Sequence, residues 1–130
     1  MAEPLRLLLV SPDKASLSGF AAALEEQGGV ALSWADSGEK ALKLASEASL
    51  DLVVTAEMLG DMTGLELAGR LLRMNPAINT AAVSRLSPQE FHEASEGLGV
   101  MVQLPTRPGG EDARGLLGRL RELKELLGGA

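Results

Sequence analysis

The chain alternates short, continuous apolar runs with longer stretches in which apolar residues recur every three or four positions. The first run, Arg6–Val10 (RLLLV), is closed by Ser11-Pro12-Asp13, which predicts a strand buried on both faces. Leu17, Phe20, Ala21 and Leu24 follow at helical spacing and predict a helix over about 14–27, stopped by Gly28-Gly29. Val30–Ala35 reads as a second strand, and Asp36 with Glu39 three residues on forms a capping-box signature before KALKLASEA. Leu50–Thr55 is a third apolar, β-branched run. A glycine-punctuated loop leads to a helix over Gly64–Met74, closed by Pro76. Thr80–Arg85 is a weaker strand, Ser87 is an N-cap with Pro88 at the first helical position, and Val100–Leu104 is a fifth strand. Residues 111–127 carry Leu116, Leu117, Leu120, Leu123, Leu126 and Leu127 on a closing helix.

Strands and helices in strict alternation, with short connections, predict one α/β domain over 1–130: a parallel sheet covered by helices on both faces. In such sheets the functional crevice lies beyond the carboxyl ends of the strands. Chemistry is therefore to be sought at Ser11–Asp13, Ala56–Met58, Ser84–Leu86 and Pro105–Pro108.

Composition narrows the chemistry. The absence of cysteine removes disulfides, thiolate metal sites and cysteine nucleophiles. A formal charge of −6 disfavours direct binding to nucleic acid phosphates. The apolar run near the N-terminus is too short for a signal peptide, and no segment reaches the roughly 20 apolar residues of a membrane span, so a soluble, cytoplasmic protein is expected. His92, the single histidine, has no partner at metal-ligand spacing, and no phosphate loop or serine-hydrolase elbow is present. No cofactor, metal or enzymatic activity is expected.

Over nearly its whole length the chain resembles the receiver domain of two-component response regulators. The stretches ADSGEKALKLASEASLDLVV, MLGDMTGLELAGRL and QLPTRP carry the resemblance. It implies a flavodoxin-like (βα)5 three-layer sandwich whose five parallel strands run in the order 2-1-3-4-5. It also implies a site in which an aspartate at the end of the third strand accepts a phosphoryl group. Around that aspartate the family places a magnesium-binding acidic pair, a Thr or Ser, and a Lys, because charge spreading over the transferred group needs cations in place. Here the acidic pair falls on Ser11 and Pro12, with Asp13 next in line; the phosphoacceptor falls on Ala56, the hydroxyl on Ser84 and the lysine on Thr106. Only the hydroxyl matches the family pattern.

The neighbours of these positions suggest further expectations. Glu57 and Arg85 are either solvated loop residues or an ion pair in which Arg85 reaches Glu57 or Asp13 and fixes the fourth-strand loop. Asp13 is either a helix cap or a ligand. Gln103 occupies the family's aromatic switch position, where no ring is available to rotate and simple exposure is the alternative. Leu116, Leu120, Leu123 and Leu127 are spaced like a seam that could dock a partner helix or a second copy as a homodimer, against the plainer reading of a core-facing helix. The expected function is a non-phosphorylatable pseudo-receiver working through a signalling protein partner or self-association at the fourth and fifth helices. A nonstandard phospho-switch using Ser84, Thr55 or Glu57, and a small-ligand sensor over Ala56, are the alternatives.

Overall fold

A computed structural model of the protein describes residues 3–128, with side chains described through Leu126. Strands β1 (Leu5–Val10), β2 (Val30–Ala35), β3 (Leu52–Thr55), β4 (Asn79–Val83) and β5 (Val100–Leu104) form one parallel sheet in the order β2-β1-β3-β4-β5. Helices α1 (Ser18–Gln27), α2 (Gly38–Glu47), α3 (Gly64–Met74), α4 (Pro88–Ser95) and α5 (Gly110–Gly128) alternate with the strands. The parallel sheet is what the alternation predicts, and its order is the flavodoxin-like one that the resemblance implies.

Why Leu7–Val10 of β1 and Leu52–Val54 of β3 are continuously apolar follows from the place of these strands in the middle of the sheet. Successive side chains point to opposite faces, and both faces are covered. Leu7 and Leu9 enter a core with Phe20, Leu24, Leu116 and Leu120 of α1 and α5. Leu8 and Val10 enter the other core, with Leu67, Leu71 and Met62 of α3 and its entry loop. The edge strand β2 is instead half exposed at alternate positions.

Several boundaries differ from the sequence reading. The first helix is split: Asp13 caps a 3-10 turn over Lys14–Leu17, accepting from the Ala15 N–H at 3.2 Å, before α1 begins at Ser18. Leu50 and Asp51 precede β3, because the Asp51 carboxylate takes the Arg6 N–H at 2.8 Å and also pairs with Lys124. β4 ends at Val83, two residues early. Ser84 N–H still bonds Leu104 O at 3.0 Å, but Arg85 N–H turns to the Glu57 carboxylate and leaves the ladder.

The capping box expected at Asp36 and Glu39 is not formed. Ser37 is the N-cap of α2, accepting from Lys40 N–H, while Asp36 pairs with Lys40 at 3.0 Å. Two further orphan amides at this helix start, Gly38 N–H and Glu39 N–H, are taken by Asp61 from a distant loop, each at 3.0 Å. The predicted cap at Ser87 is present as a full capping box with Glu90. The leucine seam is a correction as well. Leu116 and Leu120 are buried at 2% and 0% exposure against α1 and the sheet, so they are not available to a partner. Leu123 is half-buried, and the side chain of Leu127 lies outside the described residues.

Two predictions concern the loop between β3 and α3. A Cβ on Gly64 would lie 2.4 Å from Ala56 O, a backbone atom that cannot swing aside. Gly64→Ala should therefore lower stability by roughly 1–3 kcal/mol, read as a reduced urea midpoint with an unchanged slope. The hydrogen bond from Gly38 N–H, then that from Glu39 N–H, hold the Asp61 carboxyl below its ordinary value against a smaller opposing cost of burial. A depressed folded pKa stabilises above the unfolded value, and that contribution disappears as pH falls through the folded one. Asp61→Asn should flatten the acid limb of the stability–pH curve in that window and leave its neutral-to-alkaline shape unchanged.

Candidate functional site

The carboxyl ends of β1, β3, β4 and β5 converge on Ala56. The backbone there is fixed by Ala56 N–H donating to Val10 O at 2.8 Å and by Gly64 N–H donating to Glu57 O at 2.9 Å. The side chain at this central position is a half-buried methyl group. Beside it Thr55 is fully buried, its hydroxyl donating to Ala56 O at 2.9 Å.

At the end of β1, Ser11 is buried at 4% exposure and its hydroxyl is used locally, donating to Asp13 O at 2.9 Å and accepting from Asp13 N–H at 3.1 Å. Pro12 is exposed and offers no side-chain ligand. The Asp13 carboxylate is committed to the cap described above, so of the two roles open to this residue the structure places it in the structural one. Among the described residues, no group of three acidic or histidine side chains comes together in a way that could hold a metal ion.

Glu57 is where the site departs from loose loop chemistry. Its Oε2 accepts the Arg85 N–H at 3.1 Å and, at a longer 3.4 Å, the Ser84 hydroxyl; its Oε1 accepts the Arg85 Nε–H at 3.1 Å. Glu57 and Arg85 therefore form the ion pair, with Arg85 on Glu57 and not on Asp13. The Ser84 hydroxyl also accepts from Leu86 N–H at 3.1 Å. Gln103 is half-buried rather than simply exposed: its amide donates to Leu86 O at 2.8 Å and to Ser84 O at 3.3 Å. One carboxylate and one carboxamide thus tie the loop after β4 to β3 on one side and to β5 on the other.

The ion pair itself is weak as a source of stability. Arg85 is 78% exposed and Glu57 30% exposed along their side chains, where such a pair contributes at most about 1 kcal/mol. Its effect is positional. The backbone donor, the guanidinium and the hydroxyl all converge on one carboxylate, so the β4–α4 loop has one arrangement that satisfies them together.

A cavity of about 310 Å³ lies over Ala56, floored by Leu17 and Val83 and rimmed by Met58, Arg85, Thr106 and Arg107. Thr106, at the family's lysine position, is exposed on this rim, and Arg107 beside it has a backbone φ of 53°, an unusual conformation for a residue with a Cβ. The structure thus brings Ala56, Glu57, Arg85 and Thr106 around one cavity and seats Ser84 and Gln103 beside it, while Ser11, Pro12 and Asp13 stand apart from its lining. Asp61, in the same β3–α3 loop as Glu57, makes a structural contact that the sequence alone does not reveal. Its targets lie 22 and 23 residues away, so no local spacing announces the contact.

Comparison with solved structures places the fold among receiver domains. The signal receiver domain of an HD domain-containing protein from Pseudomonas fluorescens Pf-5 superposes with a TM-score of 0.82 at 19% identity, over 96% of this chain and 92% of that one. A CheY-like response regulator receiver domain protein from Methanospirillum hungatei JF-1 gives 0.82 at 21% identity, over 95% and 98%. The chemotaxis response regulator CheY4 of Vibrio cholerae gives 0.78 at 19% identity, over 90% and 98%. No curated protein matches the chain. Among the described residues no helix is long and apolar enough to cross a membrane. The model of the response regulator receiver domain matches residues 7–105, and the chain belongs to that family.

Proposed function

We propose that this receiver domain signals by protein contact without being phosphorylated, holding a preset surface where other members would switch. The observation that carries the reading is the pairing of a methyl group at position 56 with the Glu57 carboxylate that engages Ser84 and Arg85. Alanine has no nucleophilic atom, and the neighbouring hydroxyl of Thr55 is buried and turned to a carbonyl. The Ser84 hydroxyl donates to Glu57 while accepting from Leu86, which argues against its use as a substitute acceptor.

The preset surface is the rim formed by the loops after β3 and β4, with α4. Met58 and Leu86 are 61% and 36% exposed there and line the same cleft with Leu65 and Val83. Exposed large apolar side chains gathered at one place suit contact with a protein, whether a signalling partner or a second copy. Within α5, Leu116, Leu117 and Leu120 are used in the core, so what the helix offers to such a surface is its outer, charged side and Leu126, which is 81% exposed.

Incubation with acetyl phosphate and magnesium, followed by intact mass measurement, should give no phosphoryl adduct; a stoichiometric gain of one phosphoryl group overturns the reading. The preset loop has its own test. Glu57→Ala should speed amide hydrogen exchange at Arg85 at least tenfold, because that N–H loses its acceptor, and should leave Leu9 and Val54 in the sheet protected. Unchanged exchange at Arg85 would show that the loop does not depend on the carboxylate.

A further inference from the structure

A second cleft, larger than the one over Ala56, opens at the edge of the sheet. It occupies about 570 Å³ between the ends of β1 and β2 and the outer side of α2. That lies within the roughly 300–1,000 Å³ of small-molecule sites, and it opens at the carboxyl ends of β1 and β2, one strand away from the β1/β3 crevice where such sheets usually bind ligands. Trp34, Leu44 and Pro12 supply its apolar lining, and Lys14, Lys40 and Lys43 bring ammonium groups to it.

The charges along this cleft run against those of the whole chain. Three lysines face two carboxylates, Asp36 and Glu47, giving a locally positive site on a protein with a net charge of −6. Asp36 is already paired with Lys40 at 3.0 Å. Among the described residues neither Lys14 nor Lys43 has a salt-bridge partner. Lys40 and Lys43, three apart on α2, share one face of the helix. The Lys14 ammonium rests over the Trp34 ring, 4.7 Å from its centroid. The nearby start of α2 cannot serve an anion, because Asp61 takes the Gly38 and Glu39 amides. Any anion in this cleft is therefore held by lysine side chains, and any flat group by the indole.

We propose that the cleft binds a planar ring carrying a phosphate or carboxylate, the ring stacked on Trp34 and the anion held by Lys43 and Lys14. On binding, the ring takes the position over the indole and the Lys14 ammonium moves from the ring face to the anion. Apolar stacking and charge are both needed, since exposed lysines alone hold small anions weakly. The site is separate from Ala56 and does not rest on the absence of phosphorylation there.

Trp34 is the single tryptophan and the chain has no tyrosine, so its emission reports on the cleft without a label. Titration of the full chain with adenosine monophosphate and, separately, with benzoate should give a saturable emission change and an upward melting shift for at least one of them. Adenosine, the ring without the charge, and inorganic phosphate, the charge without the ring, should bind at least tenfold more weakly. Lys43→Gln, at an exposed position outside the core, should weaken the effective ligand about tenfold, equivalent to about 1.4 kcal/mol. A response to the nucleotide alone assigns the anion as phosphate, and one to benzoate alone as carboxylate. No saturable response to either, equal binding of inorganic phosphate, or unchanged affinity in Lys43→Gln overturns the proposal.

Discussion

The Glu57 carboxylate meets a need created by the end of β4. Ser84 is the last residue there whose amide finds a partner in the sheet, so the next N–H, that of Arg85, has to be satisfied elsewhere. Glu57 accepts it, then takes the guanidinium and the serine hydroxyl of the same segment. Water could hydrate each exposed donor separately at little cost, and the net gain in stability is small. What the carboxylate adds is a choice among conformations, because it requires all three donors to face one point. Gln103 reinforces that choice from β5 by holding the two carbonyls that flank Arg85.

The loop after β3, which carries Glu57, is braced on its other side. Met62 packs beneath Gly38, where a Cβ would come within 2.5 Å of its sulfur, and Asp61 closes the open amides of α2. Gly64 lets the chain pass directly over Ala56 O. The segment following β3 is thereby tied to a helix on one face of the sheet and to the loop after β4. Apolar packing and helix-end hydrogen bonding support the region around position 56 although the side chain there carries no reactive atom.

Features governed by local periodicity were legible from the residues. Leu7–Val10 and Leu52–Thr55 are apolar at nearly every position because central strands bury both faces, and Ser87 with Glu90 announces its own cap at fixed spacing. Contacts made across the fold were not. Asp61 caps a helix that precedes it by more than twenty residues, and nothing in LGDMTG identifies that target. The seam of Leu116 and Leu120 shows a different failure: a wide leucine face is consistent with either a core or an interface, and only the packing of α5 on α1 decides between them. Glu57 and Arg85 fall between these cases. The resemblance to receivers drew attention to both, while their meeting depends on β4 ending early.

The occupancy of Ser84 and Arg85 also bears on how easily such a domain could acquire phosphoryl chemistry. An aspartate placed at position 56 would stand next to the Glu57 carboxylate, which already engages the Ser84 hydroxyl and the Arg85 amide. It would share its cavity with Thr106, which supplies no ammonium, while Pro12 at the end of β1 offers no metal ligand. No single substitution would suffice, because each changed position would remain of little use until the others were changed as well. Phosphoryl chemistry therefore stands several coordinated substitutions away from the network that Glu57 has closed.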